Sequence, residues 1–398
     1  MSNLSKPLRI LFVTPITPFS TASGSEQRSA LMLEALKSLG SVDVLQLSHG
    51  PKTQVSNMET LGNRHLQAWV SGADFAVNRY KPKAGLTQRI ESALNCKMSD
   101  YALVVGRYIW PVCQLAIPAS TPVIVDLDDF RFRYSTAIPA NWRHYKERLL
   151  KAVAHQFARR QLRRFSGVFV LSKQDQMEVK GLPIAFLPNI SISVVPIATV
   201  VPQSNNLLFV GSLWYAPNAD AVNWFLHQVW PKVLALCPAA TLTLAGAAPQ
   251  SVRDEWQAHP GVRAPGFIAD LADTYRHANL VIVPVHSGGG TNIKVLEAMA
   301  HGRPCLVSRF VARAFDPILV EDRDFLVAKT SDEFVERVRW ALQEENEKEK
   351  EKPPSPGLTV SLQVIAGNGY ARVGQQFTRA LFEQRIMELV RRALHANE

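Results

Sequence analysis

Little in this chain could crosslink it, bind a structural metal or carry it across a bilayer. Its four cysteines, Cys96, Cys113, Cys237 and Cys305, lie far apart and form no CxxC pair. That spacing supplies neither a zinc site nor a disulfide framework, and a reducing cytoplasm is the natural compartment. No stretch approaches the roughly 20 apolar residues that span a bilayer, and the opening MSNLSKPLRILFVTP has too short an apolar run for a signal peptide. The expectation is a protein that is soluble or attached to a membrane surface. Apolar residues make up 47% of the 398 and charged residues 20%, which excludes wholesale disorder and leaves room for two domains with their own cores.

Two familiar phosphate-binding patterns are also missing, the dinucleotide fingerprint GxGxxG and the phosphate loop GxxxxGK[ST]. What is present is PVHSGGGTNIKVLEAMAHGRPCLVS at 284–308. Three consecutive glycines, Gly288, Gly289 and Gly290, follow an apolar run at 280–285 and precede a helical pattern in which Ile293, Leu296 and Met299 share a face. A strand feeding a helix through such a turn aims backbone N–H groups and the positive end of the helix dipole at one spot. Lys294 adds a cation one turn inside, and Glu297 offers acceptors for hydroxyl groups. Phosphates next to sugar hydroxyls would suit this array. A flexible loop or a plain helix start would read the same way from spacing alone.

Short apolar runs alternate with helical patterns along the whole chain, the signature of parallel α/β sheets covered on both faces. The strand candidates are 9–14, 42–47, 102–105, 123–125, 167–171 and 184–187, then 207–210, 240–245, 262–264, 280–283, 304–307 and 325–327. Helical patterns cover 26–39, 143–164, 219–236, 268–276, 292–300, 331–343 and roughly 371–395. The segment 189–206, with Pro196 and Pro202, reads as an exposed boundary between two Rossmann-like domains. The charged, Pro-rich EENEKEKEKPPSPG at 344–357 reads as a solvated loop.

The net charge is +10, and basic residues crowd the stretch from Arg131 to Lys173. Trp142, Tyr145, Leu149, Val153, Phe157 and Leu162 recur through it at helical spacing. Such a helix can lie on anionic lipid, or it can be a solvated helix whose apolar face is ordinary core. No aromatic RNP-like motif, basic repeat or zinc module supports nucleic-acid binding, and none is expected.

Pro284, Gly288, Gly289, Gly290, Thr291, Ile293, Lys294, Val295, Glu297, Ala298, Ala300, Gly302 and Pro304 follow the pattern P-x-x-x-G-G-G-T-x-I-K-V-x-E-A-x-A-x-G-x-P. This resembles the donor-binding motif of family 4 retaining glycosyltransferases, which have the GT-B fold of two Rossmann-like parallel-sheet domains facing a central cleft. The resemblance implies an acceptor-side domain at 1–195, a nucleotide-sugar domain at 196–370 and a C-terminal helix, 371–398, crossing back onto the first domain. It implies a nucleotide-diphosphate sugar as donor and co-substrate, a glycan or lipid-linked acceptor, no other cofactor and no bound metal. Cell-surface polysaccharide or glycoconjugate synthesis would be the setting, in the cytoplasm or on the inner face of the membrane. A GT-B sugar-nucleotide epimerase and a non-catalytic nucleotide-sugar or glycan-binding protein share the same pattern.

The resemblance also distributes roles. Lys294 would face the diphosphate, and Glu297 the donor ribose. The glutamate that usually stands eight residues before Glu297 is replaced by Gly289, so donor-sugar contacts fall to the backbone of Gly288–Thr291 with His286 or Asn292. Gly211 and Ser212 occupy the loop whose backbone faces the phosphates, where Trp214 and Tyr215 stand in the region of a usual Arg and Lys. Phe267 and Ile268 match the segment meeting the base, although Phe267 suits a core equally well. Near the N-terminus, Pro18, Gly24 and Arg28 resemble P-x-x-x-G-G-x-x-R, with Gly24 at a helix start open to a phosphate. PVIVDLDDF at 122–130 groups three carboxylates that alone suggest a metal site or an acid/base pair. The resemblance puts Asp128 where many relatives face the acceptor with histidine, in contact with the acceptor or the donor sugar, and leaves Asp126 or Asp129 to cap the following helix.

Overall fold

A computed structural model describes residues 7–20, 23–50, 54–60, 63–71, 80–128, 133–134, 156–171, 175–176, 179, 181–191, 201–202, 204–288, 291–343 and 361–395. The chain separates into two compact units, one of Met1–Phe132, Pro139–Asn189 and Arg379–Glu398, the other of Arg133–Ile138 and Ile190–Thr378.

In the first unit the strands are β1 (Leu8–Thr14), β2 (Gly40–Gly50), β3 (Gln54–Thr60), β4 (Asn63–Ser71), β5 (Leu103–Arg107), β6 (Val123–Asp126), β8 (Gly167–Val170) and β9 (Ile184–Phe186); β7 (Arg133–Tyr134) belongs to the second unit. They form one sheet in the order β3-β4-β2-β1-β5-β6-β8-β9. Every pairing is parallel except that of β3 with β4. The parallel strands bury both faces, so β1, β5, β6 and β8 read as unbroken apolar runs and were legible as such. β3 and β4 fall outside the expected strands because 54–71 is largely polar, although Leu66, Ala68 and Val70 are buried on alternate positions of β4. Helices α1 (Gly24–Lys37), α2 (Leu86–Leu94) and α3 (Ile109–Cys113) connect the strands. Most of the basic 131–173 stretch and of the 143–164 helix lies outside the described residues. Residues 156–162 are helical and bury Ala158 and Leu162.

The second unit is a six-stranded parallel sheet in the order β12-β11-β10-β13-β15-β16. Its strands are β10 (Asn206–Val210), β11 (Thr241–Ala245), β12 (Val262–Gly266), β13 (Leu280–Val283), β15 (Cys305–Ser308) and β16 (Leu326–Ala328), each within two residues of its expected span. β14 (Ser287–Gly288) pairs antiparallel with β7. The helices are α4 (Ala216–Gln228), α5 (Trp230–Leu236), α6 (Gln250–Gln257), α7 (Ala272–Arg276), α8 (Ile293–Ala300), α9 (Arg309–Ala312), α10 (Ser331–Gln343) and α11 (Leu362–Gln376).

Three helical expectations need correction. The single helix over 219–236 is two, α4 and α5, because Pro231 lacks the N–H that a continuous helix would use and starts a new first turn. The helix over 268–276 shrinks to α7. The one at 371–395 is also two, α11 and α12 (Arg379–His395), separated by Phe377, whose non-helical backbone (φ −121°, ψ 43°) seats a buried ring. α12 belongs to the first unit. It packs on α1, β6, β8 and β9 through Phe382, Ile386, Leu389, Val390 and Ala393. A Cβ on Gly167 would lie 3.1 Å from Leu389 Cδ1, so β8 presents bare backbone to this helix. Among the described residues no helix is long and apolar enough to cross a membrane.

Candidate functional site

In the second unit the loop after β10 closes tightly on the end of β11. Gly211 N donates to Ala245 O at 3.0 Å, and Leu213 N to Ala247 O at 3.0 Å. Gly246 takes φ +152°, and a Cβ there would lie 1.8 Å from Gly211 O. Only glycine permits this contact. Gly211 in turn leaves space for a cation: its own Cβ would meet Lys294 Nζ at 2.8 Å and Asn218 Nδ2 at 3.0 Å. The structure therefore brings together Gly211, Ser212 and Lys294, which lie more than eighty residues apart.

Lys294 sits in the first turn of α8, 6% exposed. Its Nζ donates to Asn218 Oδ1 at 2.7 Å and lies 4.4 Å from the centroid of the Phe209 ring. Among the described residues no carboxylate contacts this ammonium. Burial pulls the amine down from 10.5 to about 7, only partly opposed by Glu297. A buried cation without a contacting anion is costly, and an anionic ligand is what would complete it. Asn218, from the first turn of α4, went unnoticed in the sequence because a polar residue in PNAD reads as a helix cap. Its Nδ2 donates to Ser212 O at 2.9 Å.

Glu297, one turn further along α8, is also buried, and the Tyr275 hydroxyl donates to its Oε2 at 3.4 Å. Burial first and the Glu297 charge second raise that phenol well above 10, so it remains a donor. Tyr275 stacks on His301 at 4.5 Å. His286 is buried edge-on to Trp224 at 4.5 Å, with no partner for Nε2 among the described residues, and burial lowers it to about 4. Gly288 lies in β14 with φ +120°, and a Cβ there would lie 3.5 Å from the Tyr215 hydroxyl and from Pro217. The glycine run thus opens in a short strand rather than a free turn. Asn292 caps α8 with its backbone and not its side chain, and Thr291 is half-buried before it. Gly289 and Gly290 lie outside the described residues. Phe267 is 66% exposed beyond β12, which removes its core reading, and Ile268 beside it is half-buried. Trp214, at 68%, is exposed as well.

The first unit gathers a second charged cluster at the ends of β5 and β6. Arg28, from α1, donates to both oxygens of Asp126, Nε to Oδ2 at 2.8 Å and NH2 to Oδ1 at 2.6 Å, and its NH1 donates to Asn189 Oδ1 at 3.0 Å. Arg107 Nε reaches Asp126 Oδ2 at 3.1 Å, its NH1 meets Ser25 O and Ser29 Oγ, and its NH2 bonds Asp128 Oδ2. Burial alone would raise the Asp126 carboxyl, but the two guanidiniums outweigh it and hold it below the usual range. Asp126 is therefore the hub of an ion network, not a helix cap, and both its oxygens are occupied. Asp129 lies outside the described residues. Asp128 also accepts from the Tyr108 hydroxyl at 3.4 Å. Tyr108 holds φ +63°, a strained region for a side-chain-bearing residue.

Gly24 does begin α1, yet that helix end is already capped. Ser23 Oγ accepts from Glu26 N, while Glu26 Oε2 accepts from Ser23 N at 3.0 Å and from Ser20 Oγ at 2.9 Å. This capping box places a carboxylate where the sequence suggested a phosphate.

Residues 204–344 match the family model described as "Glycosyl transferases group 1". A curated relative, an uncharacterized 44.6 kDa protein in the cps region of Klebsiella pneumoniae, is 30% identical over 102 residues, covering 24% of this chain and 26% of that protein. The match thus spans about a quarter of that relative's length. Among solved structures, a sucrose-phosphate synthase from Thermosynechococcus elongatus superposes with a TM-score of 0.66 at 16% identity, covering 98% of this chain and 100% of the other. An E. coli structure described as trehalose-6-phosphate bound with UDP-2-fluoro glucose gives 0.59 at 11%, over 96% and 99%. The fold is two parallel-sheet α/β domains of the GT-B kind, and the stretch 204–344 carries a group 1 glycosyltransferase match.

Proposed function

We propose that this protein is a retaining glycosyltransferase that moves a sugar from a nucleotide-diphosphate donor to a glycan or lipid-linked acceptor. The observation that carries the reading is Lys294, a buried ammonium that no carboxylate contacts among the described residues, beside the bare backbone of Gly211. The group 1 match over the same residues and the motif around Lys294 support it. The relative from a cps region favours a polysaccharide as the product.

In the reaction the bond from the anomeric carbon to the diphosphate oxygen breaks, and the acceptor oxygen bonds that carbon on the same face. The acceptor proton passes to the leaving diphosphate. Charge builds on the diphosphate as the sugar becomes cationic, and a preorganised ammonium with backbone N–H groups stabilises it there. Glu297, oriented by Tyr275, accepts from donor hydroxyls. Asp128, held by Arg107 and Tyr108, takes the acceptor side. No step is assigned to a metal ion.

The test is a panel of nucleotide sugars. The correct donor at a hundred times its dissociation constant stabilises the native state by about 2.7 kcal/mol. Lys294→Ala is expected to lower transfer about 100- to 1,000-fold. The product anomer, read by NMR, should retain the donor configuration. Near-normal transfer by Lys294→Ala, or release of an epimer from donor alone, would overturn the reading.

A further inference from the structure

We propose that Asn218 is the positioning residue of the donor site: its amide ties the loop after β10 to Lys294 and holds the ammonium against Gly211 without cancelling its charge. This rests on the donor-site reading above.

The bonding requires a side chain that both donates and accepts. Ser212 O can only accept, and Lys294 Nζ can only donate. A side chain between them must therefore offer a donor on one side and an acceptor on the other. Asn218 does so, giving Nδ2 to Ser212 O at 2.9 Å and Oδ1 to Nζ at 2.7 Å. The opposite amide orientation would face donor to donor and acceptor to acceptor, so the partners fix which way it points. The residue is 8% exposed, and its own N donates to Tyr215 O at 2.9 Å. Loop, α4 and α8 are thus joined through one side chain. The amide and the ammonium both press on Gly211, at 3.0 and 2.8 Å from its would-be Cβ.

Neutrality is the second half of the argument. An aspartate at 218 would also hold the ammonium, but as an ion pair it would neutralise the charge meant for a phosphate and turn a carboxylate on Ser212 O. A leucine of similar volume would fill the space and bond neither partner. Among the described residues, Glu297, three residues along α8, is the charged group whose field acts on Lys294.

The experiment titrates UDP, GDP and ADP against the wild type, Asn218→Asp, Asn218→Leu and Lys294→Met, following the dissociation constant of the tightest binder from about pH 6 to 9, with Tm recorded alongside. The wild type should lose affinity above about pH 7 as Lys294 gives up its proton. Asn218→Asp should bind at least tenfold more weakly at neutral pH, with that loss displaced upward by more than one pH unit. Asn218→Leu should bind at least tenfold more weakly and lose affinity at a lower pH. A merely structural asparagine would change Tm and leave these pH profiles where they are. Wild-type affinities and profiles in both Asn218 variants, with binding abolished in Lys294→Met, would overturn the positioning role alone. Undiminished binding by Lys294→Met, or no binding by the wild type, would overturn the donor-site reading and this proposal with it.

Discussion

Both units bury cations near the C-terminal ends of their parallel strands, and they treat them in opposite ways. In the first, Arg28 and Arg107 share Asp126, and Arg107 also holds Asp128, so two guanidiniums face two carboxylates. In the second, Lys294 has an amide and an aromatic ring for company. The difference is chemical as well as numerical. A planar guanidinium matches a carboxylate through paired N–H groups and keeps its proton at any ordinary pH, whereas a buried lysine gives its proton up. A closed network fixes geometry, here the attitude of Asp128. An open cation is costly to the fold and useful only to a ligand that brings the missing charge.

Breaking the closed network should have the largest effect on stability. Asp126→Ala takes from the buried Arg28 its carboxylate partner and leaves Arg107 with Asp128 alone, and it is expected to cost about 3–5 kcal/mol. Urea unfolding checks this, and a loss under about 1 kcal/mol would show the network to be solvated rather than closed.

The open cation should show itself next, through pH. Lys294 titrates at about 7 in the native state against 10.5 when unfolded. Between those values the unfolded chain holds the proton more firmly, so stability rises with pH across that window, and below about 7 the penalty is constant. His286, lowered to about 4, works the same way at lower pH: stability rises with pH between about 4 and 6.5 and is lost as pH falls through that window. Comparing unfolding curves of the wild type and Lys294→Met isolates the first slope. If both rise equally between pH 7 and 10, Lys294 is not its source.

The sequence displayed these two regions unequally. The strands of the second unit were legible, four of the six as short apolar runs, and its donor segment is local, with Lys294 and Glu297 on one helix; its helices were less so, since α6 carried no signal and the breaks at Pro231 and Phe377 were not expected. Asn218 was hidden because its role depends on a partner seventy-six residues away. The Arg28–Asp126 pair spans ninety-eight, and nothing in PVIVDLDDF distinguishes a carboxylate that pairs with arginine from one that caps a helix. Arg107 ends an apolar strand and carried no motif. At Gly24 a second local signal was there to be read: Ser23 and Glu26 on either side of it spell a capping box.

The most direct test of the contrast is Lys294→Met, measured for stability at pH 7 and for thermal stabilisation by nucleoside diphosphates. If Lys294 is an open cation waiting for an anion, this variant is at least as stable as the wild type and is no longer stabilised by any of them. A variant destabilised by several kcal/mol, as expected for Asp126→Ala, yet still stabilised by a nucleoside diphosphate, would contradict it.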